Sequence, residues 1–230
     1  MRNKRSFSLR GSGILLIAGI LLFGSFFTIR ALLTDGERTA NAIAPTKNEA
    51  EIVEEFEPPE DPEPGPETYR KSIALTNTGP SASFLRLYIG FSDGSYEERS
   101  GFSSDGENYY SASPGGRPLW LSEEESGILS DSFVEHLPQG WTYIPANDPE
   151  NGGLLGGYLY YQSIVLPGGT TSEVVKSVRT CFPEERETPP FDILVYAESI
   201  QTLSKEGAPW SDEDWLLAWS EFLGKGGEDE

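Results

Sequence analysis

The residue types that most often carry catalysis are scarce in this chain. It has one histidine, His136, and one cysteine, Cys181, among 230 residues. A zinc peptidase commonly uses about three protein ligands, among them two histidines one helical turn apart with a glutamate between them. Asp131 and Glu135 lie near His136 in the sequence, but no H-E-x-x-H pattern occurs. We therefore expect no catalytic residue, no cofactor and no metal site, and we expect His136 at the surface or partly packed.

Other catalytic patterns are equally weak. A serine triad would need the same histidine, and Ser132 and Asp131 are too close in sequence to form one with it. The G-x-S-x-G motif is absent, and no Walker or dinucleotide glycine pattern occurs. A lone cysteine excludes an intramolecular disulfide, so Cys181 is predicted to be a small packed residue, with an intermolecular bridge as the alternative. Paired glycines are predicted to form turns: Gly152-Gly153, Gly156-Gly157 and Gly168-Gly169.

The charge of the chain excludes two classes of partner. It has 37 acidic and 17 basic residues, a net charge of −20. Five of the basic residues precede Leu32, whereas every acidic residue follows it, so the remainder carries −25. Nucleic acid and anionic lipid both require clusters of lysine and arginine. We therefore expect neither as a partner.

The first 31 residues have the pattern of an export signal. Basic residues precede an uncharged apolar run of 17 residues, Gly13–Ile29. As a helix this run would reach about 26 Å, just short of a ~30 Å hydrocarbon core, so length leaves a cleaved signal and a retained membrane anchor open. The basic residues before the run place the rest of the chain outside the cell. Two cleavage sites fit, after Ala31 and before Leu32, or after Ala42 and before Ile43.

An extended segment is predicted between the leader and the fold, over residues 32–68. Its strand, residues 48–56, carries Ile52, Val53 and Phe56 among glutamates. The proline-rich stretch that follows, residues 58–67, contains five prolines and is predicted to be a semi-rigid spacer. This spacer leaves strand 48–56 tethered to the remaining fold.

Residues 69–224 are predicted to form an all-β sandwich with one C-terminal helix, followed by a polar tail, 225–230. Alternating residues predict a hairpin of Lys71–Asn77 with Phe84–Phe91, and a long loop follows over Ser92–Gly116. Further strands are predicted over Gly140–Ile144, Gly157–Leu166, Ser172–Phe182 and Phe191–Leu203, whereas Ser130–Leu137 fits a helix or a strand.

The helix is predicted over Ser211–Leu223. Ser211 with Asp214 three residues later is typical of a capping box. Its apolar face, formed by Trp215, Ala218, Trp219 and Phe222, is predicted to dock on the sandwich or, alternatively, to bind a partner.

Several segments in a fixed order resemble the TasA/camelysin-like family of Gram-positive bacteria. The family's post-signal pattern is similar to Ala31-Leu32-Leu33-Thr34-Asp35 with Asn41, the first strand of many clostridial members is similar to Lys47–Pro59, and the N-T-G … V-R core is similar to Asn77-Thr78-Gly79 with Leu85-Arg86-Leu87. The tyrosine-rich strand with its P-G-x-T turn is similar to Gly157–Thr171, the nearly terminal strand is similar to Asp192–Gln201, and the late tryptophan is similar to Trp219. Leu32 and Leu33 depart from the family's usual aromatic residues.

The resemblance implies a jelly-roll-like β-sandwich preceded by a signal or membrane helix and secreted by a Gram-positive bacterium. It implies a SipW-type signal peptidase as processing partner and matrix fibres as the assembled form. In such fibres the N-terminal strand of one subunit completes the sheet of the next, which makes Glu51, Ile52, Val53 and Phe56 the candidate donor strand. Some relatives have been called metallopeptidases, a reading that the lone histidine does not favour.

Two alternatives remain open at this stage. Strand 48–56 could instead pair within its own sandwich. The chain could also be a monomeric surface adhesin whose ligand patch is built from Trp141, Tyr158, Tyr160 and Tyr161.

Overall fold

Two β-sheets make up most of the described chain. A computed structural model describes residues 49–56, 63–116, 122–150, 153–183 and 191–224, all within one unit, Thr46–Glu230. The strands in these ranges are β1 (Ala50–Phe56), β2 (Gly65–Asn77), β3 (Ser83–Phe91), β4 (Ser100–Ser103), β5 (Tyr110–Ser111), β6 (Leu129–Ser132), β7 (Trp141–Ile144), β8 (Tyr158–Tyr161), β9 (Val175–Phe182) and β10 (Ile193–Gln201). One sheet has the order β1-β2-β9-β4-β5-β6, the other β10-β3-β8-β7. The prediction of an all-β protein with two sheets is confirmed.

Helical segments are short and few in the described ranges. The α-helices are α1 (Gly94–Glu97), α2 (Glu123–Ser126) and α3 (Trp215–Phe222), and 3-10 turns occupy Phe133–Glu135 and Asp212–Asp214. None of the helices in the described ranges has the length and apolar character needed to cross a bilayer. The predicted leader, both predicted cleavage sites (Ala31/Leu32 and Ala42/Ile43) and the polar tail lie outside the described residues.

The main core lies between the two sheets. It combines buried side chains of β2 and β9 in one sheet with those of β3 and β8 in the other. In β3 the alternation that predicted a strand is observed, since Leu85 and Leu87 enter this core whereas Phe84 and Arg86 point to the opposite face. On the second face, α3 covers β3 at Phe84 and Arg86.

The predicted hairpin of Lys71–Asn77 with Phe84–Phe91 is wrong, because β2 and β3 belong to different sheets. Asn77 directs the crossing between them. Its buried Nδ2 donates hydrogen bonds of 2.8 Å to the carbonyl oxygens of Ser81 and Val165, and its Oδ1 accepts one from the Gly79 N–H. These bonds satisfy the backbone where the chain leaves one sheet for the other, so each strand can bury its apolar face against the other sheet.

The proline-rich spacer is shorter than predicted at its C-terminal end. β2 begins at Gly65, and Pro66 lies opposite Cys181 of β9. The Cys181 N–H donates in the other direction, to Arg99 O at 3.0 Å, so the Pro66–Cys181 pair needs no N–H from proline. The rest of the predicted spacer up to residue 62 lies outside the described residues.

Two other segments differ from prediction, and a third resolves an alternative that the sequence left open. The predicted loop Ser92–Gly116 contains α1, β4 and β5. The strand predicted over Gly157–Leu166 ends at Tyr161, after which Val165 makes an isolated bridge to Ser83. The undecided segment near Ser130 holds β6 and then the 3-10 turn Phe133–Glu135.

The C-terminal helix docks on the outer face of the second sheet, as predicted. The capping box is present, because the Ser211 N–H donates to Asp214 Oδ2 at 2.9 Å ahead of the helix. Ala218 and Trp219 are buried in a second apolar cluster with Phe84 of β3. Phe222 is 43% exposed, so the end of the predicted apolar face reaches solvent.

Because of a buried hydroxyl network in the first sheet, the free energy of unfolding changes with pH in the alkaline range. The hydroxyls of Tyr69 and Thr180 share a hydrogen bond of 2.8 Å, and Thr180 shares another of 2.8 Å with Ser100. Burial raises the pKa of Tyr69 to about 12, and the hydrogen bond with Thr180 only partly offsets it. The phenol therefore ionises more easily in the unfolded chain, where its pKa is about 10.

Because the folded pKa is the higher one, the stabilisation is complete below about pH 10 and is lost as pH rises toward about 12. Between about pH 10 and about pH 12, ionisation of Tyr69 lowers the free energy of unfolding of the wild type by up to about 2 kcal/mol. Tyr69→Phe lacks this contribution, so we expect its free energy of unfolding to fall less steeply with pH over the same range. Urea denaturation at stepped pH measures the slope. The exposed Tyr196→Phe serves as control, and equal slopes for wild type and Tyr69→Phe would contradict the assignment.

Candidate assembly edge

His136 makes an aromatic contact with a neighbouring tyrosine. Its ring stacks on Tyr110 with centroids 3.7 Å apart and an interplanar angle of 11°. Its Nε2 is 3.5 Å from Asp131 Oδ2, and the ring is about one-third exposed. Within the described ranges, no three histidine, cysteine, aspartate or glutamate side chains lie close enough to hold a metal ion. The arrangement is that of a partly exposed histidine that packs on an aromatic ring beside a carboxylate.

The aromatic patch predicted for an adhesin is not assembled. Trp141 and Tyr160 are buried. Tyr161 packs on the core between the sheets, with its ring against that of Trp141, whereas Tyr158 lies on the opposite face of β8. Successive residues of a strand point to opposite faces of the sheet. These four side chains are close in sequence, but they therefore do not form one patch.

A different set of tyrosines lies side by side on the outer face of the second sheet. Tyr196 of β10 lies directly opposite Tyr88 of β3, and the ring centroids of Tyr88 and Tyr158 are 6.2 Å apart. We call these three residues the tyrosine row. Tyr88 and Tyr196 are each 44% exposed. The Tyr88 side chain lies over Gly90, where a Cβ atom would come within 2.9 Å of the phenolic oxygen and two ring carbons.

Beside the tyrosine row, Arg86 fixes the junction between the sheet and α3. Its Nε donates to Glu198 Oε2 at 2.5 Å, and its Nη1 donates to Tyr160 Oη at 2.9 Å. The guanidinium carbon lies 4.4 Å from the Trp219 ring centroid. Burial raises the pKa of the Tyr160 phenol, and the neighbouring Arg86 charge opposes that rise.

The predicted donor strand is present as β1, at the edge of the first sheet. It pairs antiparallel with β2 in its own chain, from Ala50 opposite Asn77 to Phe56 opposite Lys71. Ala50 and Ile52 pack against the core, whereas Glu51 and Val53 are exposed on the other face. The structure thus contains the alternative arrangement, in which this strand pairs within its own chain.

A charge pair between a buried lysine and a partly exposed glutamate joins β1 to β2. The Lys71 side chain is 1% exposed, and its Nζ contacts Glu54 Oε1. On the opposite face, Arg70 Nη2 lies 2.9 Å from Glu55 Oε2, but these two side chains are 57% and 51% exposed. The first pair lies on the same face as Ile73 and Leu75, which are fully buried. Its cost of desolvation is therefore much larger than that of the surface pair.

The outer edge of β1 has no strand partner among the described residues. Sheet edges present unpaired N–H and C=O groups that another strand can bind. Glu51, Glu54 and Glu55 place three carboxylates along this seven-residue strand. Two such edges brought together would repel, so the charges disfavour simple edge-to-edge pairing.

Sequence reasoning located the strand but missed the residue that anchors it. Lys71 begins the predicted strand Lys71–Asn77, and its position two residues before Ile73 and four before Leu75 places all three on one face. A lysine in register with buried aliphatic residues was the available signal. Its acidic partner could not be identified, because the sequence does not show which strand lies beside β2 or in which register.

Comparison of the chain with protein-family models, with curated proteins and with solved structures finds no match. Functional inference therefore depends on the residues and their geometry.

Proposed function

We propose that this chain is an exported structural subunit of the cell surface or extracellular matrix. In this proposal the sandwich is of the jelly-roll-like TasA/camelysin kind, and β1 of one copy completes the first sheet of the next. The supporting observation is that β1 is an edge strand and that its strand partner within the described ranges is Lys71–Asn77 of β2. Processing by a SipW-type signal peptidase after Ala31, or alternatively after Ala42, would release the strand from the leader.

The exchange of such a strand between two copies of the chain costs little free energy. The contacts of β1 with β2 are the same whether the strand belongs to the same chain or to a second copy, so swapping replaces them one for one. The connection from Phe56 to Gly65 contains four prolines and four acidic residues. At ~3.1 Å per residue an extended proline-rich stretch of this length reaches roughly 25 Å. That reach is about five times the ~4.8 Å spacing of neighbouring strands in a sheet, which favours donation of the strand to an adjacent copy.

Removal of residues 48–56 is expected to abolish assembly while leaving a soluble protein. The deletion removes the donated strand and leaves the remaining strands in place. Negative-stain electron microscopy and sedimentation of the purified protein measure fibres. If the shortened chain still forms fibres, strand exchange is wrong.

A proline substitution provides a second test within the full-length chain. Glu49 O accepts hydrogen bonds from the N–H groups of Thr78 and Gly79, and partners alternate along an antiparallel strand, so the Val53 N–H also points toward β2. Val53→Pro removes that donor without touching the core, because the Val53 side chain is 47% exposed. Val53→Thr is the matched control and should assemble normally.

The second candidate function is a monomeric binding module that uses the tyrosine row. Its support is the alignment of three partly exposed aromatic rings across β10, β3 and β8. Size-exclusion chromatography over a range of concentration separates the two functions, because a binding module elutes as a monomer throughout.

A further inference from the structure

We infer that the tyrosine row binds an organic cation of the trimethylammonium class, held between two exposed rings and the carboxylate of Glu198. The inference names a ligand for the surface of the second candidate function, and it holds whether or not the chain assembles into fibres. The rings that contact the cation are those of Tyr88 and Tyr196, both of which reach solvent.

Strand pairing places these two rings side by side. Tyr196 of β10 lies directly opposite Tyr88 of β3 in an antiparallel pair, so both side chains leave the same face of the sheet. A Cβ atom on residue 90 would lie 2.6 Å from the Tyr88 hydroxyl oxygen, so the glycine at that position lets the tyrosine lie low over the sheet. The faces of aromatic rings attract cations that come within about 6 Å of the ring centroid.

The third ring of the row already contacts a cation. The guanidinium carbon of Arg86 lies 3.8 Å from the centroid of the Tyr158 ring, and the arginine side chain is buried. The same guanidinium group donates to Glu198, so a ring of the row and this carboxylate bind one positive group together. Because Arg86 occupies Tyr158, the two exposed rings are the ones that remain for a ligand.

Glu198 supplies the anionic atom of the proposed site. It follows Tyr196 by two residues in β10, so the two side chains lie on the same face. Its contacts with Nε and Nη2 of Arg86 are both made by Oε2. Oε1 has no hydrogen-bond partner among the described residues, and the glutamate side chain is partly exposed. One carboxylate oxygen is therefore available to a ligand.

The electrostatic potential at the row has the sign that a cation requires. Burial raises the pKa of the Tyr158 phenol, the Glu198 charge raises it further, and the Arg86 charge offsets less than Glu198 adds. The negative member of the ion pair therefore dominates at this hydroxyl. Residues 92–98, which follow β3, contain three acidic residues and no basic residue, and their charge attracts cations over a longer range.

The atoms of the site favour one class of cation. A primary ammonium or guanidinium group carries several N–H donors that need acceptors once water is lost, and the site offers a single free carboxylate oxygen. A trimethylammonium group has no N–H, so its binding requires only opposite charge and contact with aromatic rings. A neutral sugar would use the rings but not the charge. The trimethylammonium group is therefore the occupant that uses both features.

Titration of the full chain with choline, followed by isothermal titration calorimetry, tests the inference. Choline should bind saturably. The neutral analogue of choline, in which a carbon atom replaces the nitrogen, has the same shape and should bind about tenfold more weakly, because it lacks the attraction to the rings and to Glu198.

Substitutions in the row locate the binding site. Tyr88→Leu and Tyr196→Leu keep an apolar side chain but remove the ring, so each should weaken choline binding about fivefold. Tyr88→Phe and Tyr196→Phe keep the ring and should stay within about twofold of the wild type. Leu217→Ala changes an exposed residue of α3 and is the matched control, which should bind choline as the wild type does. Circular dichroism confirms the folded state of every variant.

A double variant tests the carboxylate. Arg86→Met combined with Glu198→Leu removes the anionic oxygen without leaving a buried arginine unpaired. The double variant should bind choline no more tightly than the wild type binds the neutral analogue. Choline binding at wild-type strength in this variant would show that Glu198 takes no part.

The other outcomes that overturn the inference are equally distinct. Equal affinity for choline and its neutral analogue would show an apolar surface without preference for charge. Saturable choline binding that both leucine variants retain at full strength would place the cation elsewhere. Binding of cellohexaose in the absence of choline binding would assign the row to a neutral sugar. None of these measurements reports fibres, so a failure here leaves strand exchange standing, and a chain without fibres leaves the cation site standing.

Discussion

Replacement of Arg86 by methionine is expected to lower the free energy of unfolding by about 3 kcal/mol, because it leaves Glu198 without its buried partner. Both Nε and Nη2 of Arg86 contact Glu198 Oε2, and Nη1 donates to the carbonyl oxygen of Leu154 and to the Tyr160 hydroxyl. Methionine keeps much of the volume but removes every donor. The Glu198 side chain is 30% exposed, so water offsets part of the loss and the expected value lies at the lower end of the range for buried pairs.

Arg70→Met is the matched control for this substitution. This substitution also removes a guanidinium group, here from a strand of the other sheet. The ion pair of Arg70 with Glu55 is solvent-exposed. Exposed pairs contribute about 0–1 kcal/mol, so the control should change stability little. Urea denaturation followed by circular dichroism measures both variants. Equal losses for the two arginines would show that burial of Arg86 contributes nothing.

A double variant separates the charge from the packing. Arg86→Met combined with Glu198→Leu removes the uncompensated carboxylate, and replacement of a whole buried pair by apolar residues is often neutral. The double variant should therefore recover part of the stability lost in Arg86→Met. A further loss in the double variant would contradict this account.

Replacement of Trp219 by alanine is expected to cost about 3–5 kcal/mol, the range for large aromatic side chains deleted from a core. Trp219 is completely buried under the second sheet. Its ring meets that of Tyr160 edge-on at 5.7 Å between centroids and lies 4.4 Å from the Arg86 guanidinium carbon. Removal of the indole would leave a cavity between α3 and the sheet, and it would uncover Phe84 and Arg86.

Leu217→Ala is the control within the same helix, since Leu217 is 60% exposed. It should change stability by about 0.5 kcal/mol or less. Trp219→Phe should fall between the two, because it keeps a ring and removes an indole N–H that has no hydrogen-bond partner among the described residues. Thermal and urea unfolding by circular dichroism measure all three. If Trp219→Ala is as stable as Leu217→Ala, α3 does not cover the sheet in solution.

Local patterns in the sequence determined the elements whose cause is local. The alternation of Leu85, Leu87 and Ile89 predicted β3, because residues two apart share a face of a strand. The Ser211 and Asp214 spacing predicted the start of the C-terminal helix, because a capping box needs only neighbouring backbone groups. The apolar and acidic pattern of residues 48–56 likewise predicted β1. The charge balance and the single histidine limited the function classes on composition alone.

Only the tertiary structure decided which strands are neighbours and which side chains meet. The turn after Asn77 is compatible with a hairpin, and the sheets separate there because Asn77 is bonded to Val165, a residue far along the chain. The tyrosine row likewise depends on the register of three strands. The pairing of Lys71 with Glu54 is also decided by register, since one residue of slip would change the glutamate that Lys71 meets. Pairings of this kind depend on the whole core, because each strand gains burial only when the opposite sheet is already in place.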